Sequence, residues 1–180
     1  IPENAVLLCT ASRLTAQKGF YELFKLFART SKVNKNLHLI VCGSAFPGDR
    51  NPINRKYALK LGCPSDRTHF TGWLDDILPI LQISDIYILL SKGEGRSASM
   101  MEAASTGCPF IVSNVLGMNA IVHDGINGYI VNLNNPLRIE ERILELAGNK
   151  SRREQMGKKS RETAILDFRN SLINRRLIEY

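Results

Sequence analysis

The stretch "IYILLSKGEGRSASMMEAASTGCPFIVS", Ile86–Ser113, decides the fold. It opens on the apolar run Ile86–Leu90 and closes on a second one, Phe110–Ser113. Between them, Ser97–Thr106 reads as a helix that stops at Gly107, with Pro109 just beyond. An apolar run, a helix and another apolar run make a strand–helix–strand unit, whose two strands lie parallel in one sheet. The loop joining the first run to the helix holds Glu94 and Gly95, and Glu102 follows one turn into the helix.

Outward from this unit the same alternation continues. Ala5–Cys9, Leu37–Cys42 and Thr68–Phe70 read as further strands, and Gly128–Val131 as a weaker one. These runs are almost unbroken in apolar character, as strands covered on both faces require. Phe20–Ser31 places Phe20, Leu23, Phe24 and Phe27 at a helical period. Asn54–Leu61 follows Pro52 and stops at Gly62, and Pro136–Ala147 opens on proline and ends at Gly148. Ser151–Asp167 and Ser171–Tyr180 read as two more helices. The expected fold is α/β: a Rossmann-like, doubly wound parallel sheet with helices on both faces, forming one domain over residues 1–180.

Composition agrees with a globular chain. The apolar fraction is 44% and the charged fraction 23%. The longest apolar runs fall well short of the ~20 residues of a membrane span. A chain opening on Ile1-Pro2, with no basic-then-apolar leader, is expected to be an excerpt of a longer protein. Four cysteines without C-x-x-C spacing and three dispersed histidines argue against a structural metal, and for reduced, buried thiols in a cytoplasmic protein. The net charge is +7; nine Lys/Arg against four Asp/Glu from Gly148 to Tyr180 put +5 of it in the tail. That tail reads as a solvated helical surface. It leaves a peripheral membrane contact open, and without interleaved aromatics it gives no sign of a nucleic-acid partner.

In a doubly wound sheet the ligand lies beyond the carboxyl ends of the strands. After the first strand come Arg13 and Lys18, two cations on one loop that suit a diphosphate. No G-x-G-x-x-G accompanies them, so a dinucleotide fingerprint is absent. Gly95 permits a tight turn, and Arg96, Ser97, Ala98 and Ser99 offer backbone N–H groups at a helix start.

The Glu94-x7-Glu102 pattern, continued by "EAASTGCPFIVSNVLGMNAIVHDGINGYIV", resembles the carboxyl-terminal domain of family 4 retaining glycosyltransferases of the GT-B fold. "ASRLTAQKG" is similar to that family's arginine-and-lysine loop, and "FTGWL" to its base-binding turn. The resemblance runs from Ala5 to about Asp167. It implies that Arg13 and Lys18 hold the donor's diphosphate, Glu102 the ribose, and Glu94 the transferred sugar beside the amides of Arg96, Ser97 and Ala98. It further implies that Trp73 and Leu74 flank the nucleobase and that Gly43 lines the diphosphate pocket.

The partners so implied are a nucleotide-sugar donor and an amino-terminal acceptor-binding domain of the same protein. The tail 168–180 would pack on that domain. No metal and no cofactor is expected, because no Asp-x-Asp occurs. Ser97, Ala98, Ala120 and "GSAF" depart from the family's usual residues, which leaves the donor sugar open. Two alternatives also stay open: a non-catalytic sugar-nucleotide module, and a sugar-nucleotide epimerase of similar architecture.

Overall fold

In the computed structural model the backbone is described for residues 1–45, 48, 52–95 and 97–178, and the side chains of these up to residue 166. Six parallel strands form one sheet: β1 Val6–Ala11, β2 Leu37–Cys42, β3 Thr68–Gly72, β4 Ile86–Leu89, β5 Phe110–Ser113 and β6 Gly128–Val131. Their order is β3-β2-β1-β4-β5-β6. The chain therefore winds outward one way from β1, returns to place β4 on the other side of β1, and winds outward again. The doubly wound parallel sheet expected from the sequence is the one observed.

Among the described residues seven helices cover it: α1 Phe20–Val33, α2 Arg55–Lys60, α3 Leu78–Gln82, α4 Ala98–Thr106, α5 Leu116–Asn119, α6 Pro136–Gly148 and α7 Lys150–Ile178. The period-2 alternation of each strand sorts its side chains between two cores. Leu8, Leu39, Ile88 and Ile111 meet α1 and α6 on one face, where Phe20, Phe24, Phe27, Ile139 and Ile143 are buried. Cys9, Ile40, Tyr87, Leu89 and Phe110 meet α3, α4 and α5 on the other, against Leu81, Met100, Ala103 and Met118. Two apolar faces explain why the strands read as continuous apolar runs.

Two departures have local causes. The helices expected at Ser151–Asp167 and Ser171–Tyr180 are one continuous helix, since neither glycine nor proline lies between Asp167 and Ser171. The packing expected of the tail side chains falls outside the described residues. The short helices α3 and α5 have too few residues to show a period in the sequence. Cys9, Cys42, Cys63 and Cys108 are all buried free thiols, as anticipated. No helix among the described residues is long and apolar enough to cross a membrane.

Near the amino ends of β2 and β3, buried His38 and half-buried His69 stack with ring centroids 5.4 Å apart. His38 Nδ1 lies 3.1 Å from His69 Nε2, so one ring donates and the other accepts. Burial lowers both pKa values first; the neighbouring His69 then adds to the shift of His38. With the folded pKa values below the unfolded ones, the unfolded chain binds protons first on acidification. Stability is thus expected to hold above about pH 7 and to fall as the pH drops through the histidine range towards about pH 5. Urea midpoints across that window check this, and His69→Gln should flatten the slope.

Candidate functional site

The crossover that sets β4 beside β1 makes the loops after these strands part in opposite directions, and ligands enter such crevices. A cleft of about 490 Å³ lies there. Arg13 and Lys18 reach it from the loop after β1, Gly43 from the end of β2, and Trp73 and Leu74 from the end of β3. Glu94 reaches it from the loop after β4, and Ser97, Ala98 and Glu102 from the start of α4. Gly95 lines an adjoining hollow of about 450 Å³ that shares Arg13, Lys18 and Glu94 with the cleft. Residues that the sequence separates by up to 89 positions (Arg13 to Glu102) thus meet in one place. Arg96 lies outside the described residues.

The loops are fastened to one another. A 3-10 turn at Ala16–Lys18 presents Lys18. The Gln17 carbonyl of that turn accepts from the Lys92 amide at 2.8 Å and from Ser91 Oγ at 3.3 Å. Ser113 Oγ donates to the Ser91 carbonyl, tying β5 into the same corner. Lys18 Nζ then donates to Glu94 Oε2 at 2.5 Å, with both side chains largely shielded, 18% and 12% exposed. At the β2 end, Gly43 has φ +130°, and its amide donates to the Gly72 carbonyl at 2.8 Å. A Cβ there would sit 2.0 Å from the Ser12 carbonyl oxygen, so only glycine lets the first two loops close up.

The start of α4 opens on the cleft. Ser97 is its N-cap in extended conformation, and its side chain does not cap the first turn. The helix therefore turns uncapped N–H groups towards the cleft that Ser97, Ala98 and Ser99 line. Ser99 and Tyr87 hold it in position. The Ser99 hydroxyl donates to the Ala11 carbonyl at 2.8 Å, and the fully buried Tyr87 hydroxyl lies 2.7 Å from Ser99 Oγ and 3.1 Å from that carbonyl. Tyr87 was not among the site residues expected from sequence, and Ser99 was expected there for its backbone N–H alone, not for its hydroxyl. An apolar-run tyrosine reads as core, and nothing in its spacing signals a bond to a helical serine twelve residues on.

Glu102 stands on the cleft side of α4, where burial, and next the negative charge of Asp76, raise its carboxyl pKa. Such an acceptor gains from hydroxyl donors. Trp73, 65% exposed, offers an open aromatic face, and its Nε1 lies 3.3 Å from Asp75 Oδ1. Among the described residues no group of three or more His, Cys, Asp or Glu side chains is arranged to hold a metal ion.

Fold and cleft define a doubly wound α/β domain with cations, a helix start and two carboxylates gathered at the crossover edge. The family model for glycosyl transferases group 1 matches residues 1–163, and the chain belongs to that family. It is 26% identical over 172 residues to the lipopolysaccharide core biosynthesis glycosyltransferase LpsE of Rhizobium meliloti, covering 96% of this chain and 48% of that protein. It is 30% identical over 137 residues to an Escherichia coli UDP-Gal:alpha-D-GlcNAc-diphosphoundecaprenol alpha-1,3-galactosyltransferase, covering 74% of this chain and 34% of the relative. The chain thus spans about half, or less, of the length of these curated relatives.

Among solved structures, Anabaena HepE in complex with UDP shares the fold with a TM-score of 0.86 at 21% identity, over 98% of this chain and 48% of that one. The C-terminal domain of the Francisella tularensis group 1 glycosyl transferase LpcC gives 0.79 at 20% identity, over 91% and 86%.

Proposed function

We propose that this chain is the donor-binding half of a retaining glycosyltransferase. It transfers a sugar from a nucleoside-diphosphate sugar to an acceptor in polysaccharide or glycoconjugate synthesis. The observation that supports this best is the convergence of Arg13, Lys18, Glu94, Glu102 and the start of α4 on one cleft. The printed names of the relatives, one in lipopolysaccharide core biosynthesis and one using UDP-Gal, support the substrate class. An amino-terminal domain across the cleft would bring the acceptor.

Cleavage of the sugar–phosphate bond builds negative charge on the leaving diphosphate. Arg13, Lys18 and the amides of α4 stabilise it electrostatically, with no divalent metal required. Glu102 accepts from the ribose hydroxyls, Trp73 and Leu74 flank the base, and Glu94 accepts from the transferred sugar. A cytoplasmic setting belongs to the same reading and is supported by the buried free thiols. A peripheral membrane contact through the basic tail also belongs to it, supported by the tail's excess of Lys and Arg.

Titration of the chain with UDP-, GDP- and ADP-sugars, with and without chelator, tests the reading. One base should bind, and chelator should leave the affinity unchanged. A strict magnesium requirement would overturn it. Glu102→Ala is expected to weaken nucleotide binding by ~1–3 kcal/mol through loss of the ribose acceptor. Calorimetry with the bare nucleoside diphosphate reads this directly.

A further inference from the structure

The Lys18–Glu94 ion pair joins the two ends of the proposed donor site. Lys18 is the cation offered to the diphosphate, and Glu94 the acceptor offered to the sugar. They bind each other at 2.5 Å, each side chain largely removed from solvent. Three independent features fix the pair. The Ala16–Lys18 turn is bonded to residues 91 and 92 through the Gln17 carbonyl. The backbone of Glu94 and Gly95 rests against α5, where a Cβ on Gly117 would lie 2.4 Å and 2.2 Å from their carbonyl oxygens. Both partners also line the cleft, at its wall shared with the adjoining hollow. Its 18% and 12% exposure also leaves the pair less screened by solvent than a typical surface pair.

We infer that Glu94 acts as an internal stand-in for the donor's phosphate, occupying Lys18 until a diphosphate displaces it and frees the carboxylate for the sugar. This rests on the donor-site reading above and goes beyond it by coupling the two subsites. Both ligand groups cannot be satisfied by the closed pair. A phosphate that takes Lys18 leaves a largely buried carboxylate without its cation, and sugar hydroxyls then supply the hydrogen bonds that it has lost. Free sugar offers no such exchange, because it brings no anion to replace Glu94 on Lys18. The cleft is thereby selective for a diphosphate and sugar arriving together. Bare anions bind at a disadvantage set by the pair that they must break.

The test is a double-mutant cycle on the chain with inorganic pyrophosphate as probe, measured by calorimetry, because this ligand needs no choice of base or sugar. Glu94→Gln keeps shape and hydrogen bonding while removing the charge, and thermal melting confirms that it folds. It should tighten pyrophosphate binding by roughly five- to tenfold. Lys18→Met should weaken binding, and in that background Glu94→Gln should give little further change.

Equal tightening in both backgrounds would reduce Glu94 to a distant repelling charge and overturn the inference. Unchanged or weaker binding in Glu94→Gln alone would overturn it too, while leaving the donor site standing. If pyrophosphate bound neither the natural chain nor Glu94→Gln, the donor-site reading would itself fall, and the inference with it.

Discussion

In the proposed two-domain transferase, replacing Lys18 by alanine is expected to lower kcat by about 10²–10³-fold. The ground state gives Lys18 an alternative in Glu94, at 2.5 Å. The charge that develops on a departing diphosphate has none. In the proposed site it meets Arg13 and Lys18 of the loop after β1, and a preorganised donor in a shielded cleft is worth far more than the same donor in water. KM should change much less than kcat, because the interaction strengthens as the bond breaks. Arg13→Ala is expected to act in the same direction. The double variant should fall short of the product of the two, since both residues serve one leaving group. Steady-state kinetics on the intact enzyme check this. A loss in kcat of less than about tenfold would remove Lys18 from the reacting end of the cleft.

That Lys18 would stand at the cleft edge was legible in the chain, and that it is paired was not. Strands such as Leu37–Cys42, Phe110–Ser113 and Gly128–Val131 appear at the bounds read from sequence, because burial on both faces leaves an unbroken apolar run ended by polar or turn residues. Parallel strands joined by helices then put the residues after each strand at one edge by topology alone. Arg13, Gly43, Trp73 and Glu94 could be placed together before any side chain was seen. Pairings across that edge have no such signature. Lys18 and Glu94 stand 76 residues apart, and their contact depends on Gln17 being bonded to residues 91 and 92. The Tyr87–Ser99–Ala11 bonds are hidden for another reason: the hydroxyl that anchors α4 belongs to a side chain whose ring is plain core. The single helix α7 in place of two shows the limit of reading helix ends where neither glycine nor proline stands between Asp167 and Ser171.

Gly117→Ala should leave the fold standing and still cost about 100-fold in kcat. Gly117 lies in α5, and its backbone needs no left-handed conformation, so the requirement for glycine is steric. An added Cβ would stand 2.2 Å from the Gly95 carbonyl oxygen, 2.4 Å from that of Glu94 and 2.6 Å from the Gly95 carbonyl carbon. All three are backbone atoms, and no rotamer relieves the overlap. One side must move by roughly 1 Å to restore ordinary contact distances. Helix α5 cannot retreat easily, because Met118 is fully buried in the core beneath it. The loop yields instead and carries Glu94 away from Lys18 and from the position offered to the sugar. Overpacking of this kind costs about 1–3 kcal/mol of stability, which a melting curve will show without loss of a cooperative transition. The base and ribose contacts proposed for Trp73 and Glu102 lie on other elements and should persist, so the bare nucleoside diphosphate should bind no more weakly, and more tightly, by up to the roughly five- to tenfold expected of Glu94→Gln, as Lys18 is released from Glu94. A variant with kcat within about threefold of the natural enzyme would show that α5 does not position the Glu94 loop.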